Sequence, residues 1–301
     1  MRVTWRSVAV GIVVAGLLAG CGSTVTGAAA RTGSTATASA STGSAGAGSG
    51  SGSPPNASPA GSAATDPGSA TASPAVSAPP PLARMTVGID PGHNGGNFSD
   101  PGFIDQQVWN GRENENCDTT GTQTAGGYTE ARFNFNVASY LRGDLVALGA
   151  RVVMTRHSNS GVGPCITTRA EIINRAHANV AIDIHADGGP PSGRGFTVLE
   201  PVADGPNDTV IGPSVRFGAD VRAALLKDTS MPESDYYGRD GLILRDDLAG
   251  LNLTTVPKVL VECGNMQNPV DARLLTRPSF QRRLARALTA AIVAYLTGPV
   301  R

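Results

Sequence analysis

The stretch from Gly22 to about Pro81 is built almost wholly from Ser, Gly, Ala, Thr and Pro, with Arg31 and Asp66 as its only charges. A segment of that composition cannot bury enough apolar surface to offset the entropy of ordering its backbone, so it reads as a disordered tether. Of the 301 residues, only those after the tether can build a core. About 60 residues of this kind have a root-mean-square span on the order of 45 Å. The tether either lets the following domain search a volume or is a plain spacer.

Ahead of the tether, Arg2 and Arg6 precede an apolar run from Val8 to Leu18. That is the charged head and short apolar body of a secretory signal, and it is too short to span a membrane stably. The run ends in Leu18-Ala19-Gly20-Cys21, which resembles the bacterial lipobox, whose cysteine is acylated and becomes the first mature residue. Cys21 is therefore the expected lipidation site, and two or more acyl chains give firm attachment. Ordinary cleavage beside a chance cysteine is the alternative. The expected organisation is a signal over 1–20, a lipidated tether over 21–82 and one folded domain over 83–298, on an exported protein held at the membrane and facing the cell wall.

Cations and acids balance at 24 each, and loss of Arg2 and Arg6 leaves about −2, so nothing points to a nucleic-acid partner. Beyond Cys21 three cysteines remain. Cys117 and Cys165 lie in polar, Gly-rich surroundings, whereas Cys263 ends an apolar strand pattern. In an exported protein this pairs Cys117 with Cys165 and leaves Cys263 as a buried free thiol. Closing that loop of roughly 48 residues would stabilise the fold by about 4 kcal/mol in the chain-entropy description.

From Met85 onward, short β-branched runs alternate with amphipathic stretches, the pattern of an α/β domain. Strands are expected at Met85 to Asp90, Arg151 to Thr155, Val180 to His185, Gly195 to Leu199, Gly241 to Arg245 and Val259 to Cys263. Helices are expected at about Thr129 to Leu148, Thr167 to Ala178, Ser214 to Lys227 and Pro278 to Leu296. Phe133, Val137, Leu141, Leu145 and Leu148 recur at helical spacing in the first of these. No internal repeat or second domain is visible.

Four segments fall at or near strand and helix ends, where ligand sites of open α/β sheets gather. They are Asp90-Pro91-Gly92-His93, Glu130 at the first helix start, Asp183-Ile184-His185-Ala186-Asp187, and Val261-Glu262-Cys263-Gly264-Asn265. Two neutral imidazoles and one carboxylate suffice for a catalytic zinc ion with a position left for water. Each residue alone has a plainer role, since a histidine at a strand end commonly packs and a glutamate opening a helix commonly serves its dipole.

In order and local context the four segments resemble the zinc-dependent N-acetylmuramoyl-L-alanine amidases of the amidase 3 family, in particular its small mycobacterial members without a separate wall-binding domain. The resemblance covers nearly all of Met85 to Leu296. It implies a single α/β domain of the phosphorylase/hydrolase-like kind, with a mixed, mostly parallel twisted sheet flanked by helices. It further implies hydrolysis of the amide between N-acetylmuramic acid and L-alanine in peptidoglycan, with Zn2+ on His93, Glu130 and His185 and Glu262 as general base. Departures from the family pattern are the inserted Asn94, Asp183 in place of serine, and Cys263 and Asn265 in the last segment. None removes a ligand.

Around this core, Asp90 and Asp187 either orient the imidazoles or cap turns. Arg245 either holds a stem-peptide carboxylate in its fork or forms a surface ion pair. His157 and His177 read as surface or packing residues. The insertion from Asn94 to Gly127 lies between two ligands and is expected to overhang the site. The expected state is a monomer. The rival readings are a non-catalytic peptidoglycan-binding or regulatory relative, and a zinc exopeptidase or deacetylase on a similar scaffold. Retention of all four residues argues against the first, and the four ordered segments argue against the second.

Overall fold

The computed structural model describes residues 78–299, so the signal, Cys21 and nearly all of the tether lie outside the described residues. The fold begins slightly earlier than its first strand: Leu82 is fully buried and its N–H donates to the Leu148 carbonyl at 3.0 Å. Among the described residues no helix is long and apolar enough to cross a membrane.

Six strands form one sheet: β1 (Thr86–Pro91), β4 (Arg151–Met154), β5 (Val180–Asp187), β6 (Thr197–Pro201), β7 (Leu242–Arg245) and β8 (Lys258–Asn265). A separate antiparallel hairpin pairs β2 (Gln107–Trp109) with β3 (Asn114–Asn116). The large sheet runs in the order β4-β1-β5-β8-β6-β7. Its pairs are parallel except β6 against β8, which is antiparallel, so the expected mixed, mostly parallel sheet is found. The central strands are buried on both faces and accordingly read as near-continuous apolar runs.

Three long helices, α2 (Glu130–Ala147), α4 (Ile211–Asp228) and α7 (Pro278–Thr297), cover one face. Phe133, Val137, Leu141 and Leu145 of α2, Phe217, Val221 and Leu225 of α4, and Phe280, Leu284, Leu288 and Ile292 of α7 meet there in one core. The shorter α3 (Ile166–Arg175) and α5 (Ala249–Asn252) cover the other face, while α1 (Pro101–Ile104) lies in the insertion and α6 (Pro269–Leu275) follows β8. Strand alternation sorts the chemistry. Val180, Ile182, Ile184 and Ala186 of β5, and Val259, Val261 and Cys263 of β8, point into the large core. Asp183 and His185, and Lys258 and Glu262, therefore point to the opposite face. Cys263 is buried and free, as its strand pattern implied.

The loop expected between the first strand and α2 holds more structure than its Gly- and Asn-rich composition suggests, namely α1 and the β2–β3 hairpin. The hairpin is latched to the segment after β7. Arg112 Nη1 lies 2.6 Å from Asp246 Oδ2, Asn110 Nδ2 donates to the Asp247 carbonyl at 3.2 Å, and the Ala249 N–H donates to Glu115 at 3.1 Å.

Because α2 both fills the core and carries Glu130, its packing is the element of the fold most directly tied to the site. Phe133→Ala is expected to cost about 3–5 kcal/mol in denaturant unfolding. Val146→Ala, on the exposed side of the same helix, should cost under about 0.5 kcal/mol. Equal costs would contradict the packing described.

Candidate metal centre

His93 stands just beyond β1, in the left-handed region at φ 56°. His185 is on β5 and pairs in register with Glu262 on the neighbouring β8, so both side chains leave the same face side by side. Gly92 has no room for a side chain, because a Cβ there would lie 2.1 Å from the His185 ring. Glu130 opens α2 and is buried.

These residues converge. The His93 and His185 rings meet edge to face with centroids 4.9 Å apart. Glu130 lies against both, its Oε1 at 2.9 Å from His185 Nδ1 and its Oε2 at 3.3 Å from His93 Nε2. One ligand atom from each of His93, Glu130 and His185 falls within 4.8 Å of the others, the donor set and spacing that a zinc ion takes. His93 Nδ1 lies 3.1 Å from the Thr119 carbonyl, which only accepts, so Nδ1 carries a hydrogen and Nε2, on the Glu130 side, is the nitrogen left to bind a metal once it is deprotonated.

The electrostatics fit a cation. Burial works against a charged His93, yet Glu130 and Asp118 outweigh it and push its pKa up to about 10. Burial, then the Glu130 and Asp187 carboxylates, holds Glu262 well above the ordinary carboxylate range. Glu262 Oε2 is buried with no hydrogen-bond partner. A positive charge among the three ligands would relieve the carboxylate repulsion.

Beside this centre, a cavity of about 190 Å3 is lined by His93, His185, Glu115, Asn116 and Leu248 to Gly250. The hairpin and the segment after β7 thus form one wall, and the insertion does border the site as expected.

The remaining expectations divide. Asp90 does not reach an imidazole: it receives Arg169 Nη1 at 2.8 Å and lies 3.5 Å from Lys258 Nζ, which with Thr155 hold its carboxyl far below the usual range despite burial. The cause is strand alternation, which points Asp90 beneath the turn that carries His93. Asp187 accepts from the Tyr236 hydroxyl at 2.6 Å and orients no imidazole. Arg245 spends its fork on Asp247, at 2.6 Å from both Nε and Nη2, and donates from Nη1 to Tyr237, so of its two readings the ion pair is found. Cys117 and Cys165 are both free thiols and are near enough for Cys165 to act on the Cys117 thiol. Burial first, and Cys165 second, push the Cys117 thiol up to about 12, which keeps it protonated.

Three supporting residues escaped the sequence reading. Arg169 donates to Asp90 and the Pro91 carbonyl at 2.8 Å, to the His93 carbonyl at 2.9 Å and to Asp118 at 3.1 Å. Arg156 donates to the Pro91, Gly92 and Ala131 carbonyls at 2.8, 3.1 and 2.8 Å. Asp118 lies 3.4 Å from His93 Nδ1. The one available signal was Arg169 itself, an arginine inside the apolar stripe of Ile166, Ala170 and Ile173. Arg169→Met is expected to weaken zinc binding by about 10- to 100-fold in a chelator competition, with Arg169→Lys between it and wild type. Unchanged affinity in the methionine variant would contradict a positioning role.

Comparison with known proteins supplies the class. The family described as N-acetylmuramoyl-L-alanine amidase, Amidase_3, matches residues 87–294. The N-acetylmuramoyl-L-alanine amidase Rv3717 of Mycobacterium tuberculosis is 41% identical over 232 residues, covering 75% of this chain and 94% of that protein. The crystal structure of the N-acetylmuramyl-L-alanine amidase Ami1 from Mycobacterium smegmatis superposes with a TM-score of 0.68 at 41% identity, over 72% of this chain and 99% of that one. The apo form of Ami1 from Mycobacterium abscessus gives 0.67 at 43% identity, over 71% and 100%. This chain, in which His93, Glu130 and His185 converge at the end of the sheet, belongs to the N-acetylmuramoyl-L-alanine amidase family Amidase_3.

Proposed function

We propose that the chain hydrolyses the amide between N-acetylmuramic acid and L-alanine in peptidoglycan, with His93, Glu130 and His185 holding a zinc ion and Glu262 moving the proton. The convergence of those three residues beside a buried carboxylate with an unpartnered oxygen carries this reading. When bound, zinc supplies the Lewis acidity that brings the pKa of a coordinated water toward neutrality and polarises a carbonyl. Glu262, beside His185 on the sheet, takes the proton of the attacking water and returns it to the departing alanine nitrogen. Water's OH goes to the lactyl carbonyl carbon, its hydrogen goes to the amine, and the C–N bond breaks. Arg169 and Arg156 fix the turn beneath His93.

The same reading places the protein outside the cell, anchored through Cys21, with the tether giving the domain reach into the wall. It also takes the Cys117 and Cys165 pair as a site that closes to a disulfide in an oxidising compartment, supported by the nearness of the two thiols.

Digestion of purified peptidoglycan, with products read by mass spectrometry, tests the activity. Wild type should release intact stem peptides beginning with L-alanine. Glu262→Gln should bind zinc normally while losing about 100- to 10,000-fold in turnover. Acetate or shortened peptides as products would instead favour the deacetylase or exopeptidase chemistry.

Zinc must displace the proton that His93 carries below its pKa of about 10, so affinity should rise with pH through neutrality. Calorimetry at pH 7 in buffers of different ionisation enthalpy should show about one proton released per ion. Binding without proton release would contradict the Glu130-coupled state of His93.

A further inference from the structure

Charge in the described domain is segregated along the chain. Residues 78–271 hold 15 cationic and 23 acidic side chains, whereas residues 272–299 hold five arginines and no acid. Arg273, Arg277, Arg282, Arg283 and Arg286 are all exposed, as is Arg132 on the neighbouring α2. None of these six has a carboxylate within ion-pair distance among the described residues, although most other arginines do. Asp228 lines a cleft with Arg283 and Arg286 without reaching either as an ion pair.

Two of the guanidinium groups are held on aromatic faces. Arg132 lies 5.4 Å from the Tyr128 ring centroid and Arg282 lies 4.3 Å from that of Tyr140. A guanidinium laid on a ring keeps its N–H edges free for a planar anion. The two helices are stitched at this level, since Asn136 Nδ2 of α2 donates to Gln281 Oε1 of α7 at 3.4 Å, and Gln281 Nε2 donates to the hydroxyl of Tyr128, just ahead of α2, at 2.9 Å. Both also start at the catalytic end of the sheet: α2 begins with Glu130, and α7 follows α6 directly after β8. On α2 the cationic face therefore begins at Arg132, within a turn of Glu130.

We propose that this α2–α7 face is a docking surface for the wall polymer, its arginines taking the carboxylates of stem peptides next to the one being cut. The proposal rests on the peptidoglycan reading and deepens it. Forked arginines suit carboxylates, and a repeating polyanion engages several at once. An anionic lipid surface fits less well, because among the described residues the exposed large apolar side chains include none on α7 and only Val146 on α2 to enter acyl chains. The domain would thereby carry its own wall-binding element.

The test is pelleting of the full-length chain with purified sacculi, comparing wild type with Arg282→Ala/Arg283→Ala/Arg286→Ala. A control of equal charge change, Arg151→Ala/Arg175→Ala/Arg239→Ala, alters exposed arginines elsewhere. The α7 variant should bind at least about tenfold more weakly at low salt and the control within about twofold of wild type. Amidating the stem-peptide carboxylates should reduce wild-type binding to the level of the α7 variant. Equal losses in both variants, or undiminished binding to amidated sacculi, would each overturn the proposal. Circular dichroism melts confirm that the variants fold, and the single change Arg283→Glu, expected to weaken binding, serves if the triple variant does not. Peptide release by wild type on the same sacculi separates the two levels: release with normal binding by the α7 variant sinks only this inference, whereas no release sinks the reading beneath it.

Discussion

A buried ionic cluster under the first turn is what the rest of the site depends on. Arg169, fully enclosed, joins α3 to Asp90 of β1, to the carbonyls on either side of Gly92 and to Asp118 of the loop before α2. Lys258 of β8 completes it, 2.8 Å from Asp183 of β5 and 3.5 Å from Asp90. Ion pairs taken out of water contribute little net stability, but removing one partner leaves an uncompensated charge, at a cost of about 3–5 kcal/mol. Such a cluster therefore tolerates few alternative arrangements, and it fixes three strands, one helix and one loop in a single register at the point where His93 must be held.

That cluster also gives Asp183 a physical reason. Standing where the family pattern has serine, it would be a bare buried carboxylate, and burial does hold its pKa well above the ordinary value, with Lys258 opposing. The Lys258 ammonium on the adjacent strand, itself buried, is the compensating charge. The two positions act together, and neither bears on the metal ligands directly.

Much of this was legible in the sequence because it follows from side-chain period and from local motifs. His93, Glu130 and His185, read at strand and helix ends, do converge, and the long helices and the central strands, set by apolar spacing, were found close to their expected bounds. The hairpin and the short helices were not. Helices α1 and α6 are capped but too short to show a period, and the hairpin is held by long-range polar contacts, such as Arg112 to Asp246 and Glu115 to Ala249, which leave no periodic trace. For the same reason Asp90 and Asp187 were assigned by nearness in sequence to the histidines, while the residue that does approach His93, Asp118, comes from a loop 25 positions away. Arg245 shows the complementary limit: an arginine's fork is visible in the sequence, but its partner is not.

The central claim is that one metal ion binds where His93, Glu130 and His185 converge. Anomalous diffraction at the zinc edge, on crystals of the zinc-loaded protein, tests it most directly. The account requires a single strong peak about 2.0–2.2 Å from one atom of each of those residues. A peak held by other residues, or none at that position in a sample with one zinc per chain, would contradict it.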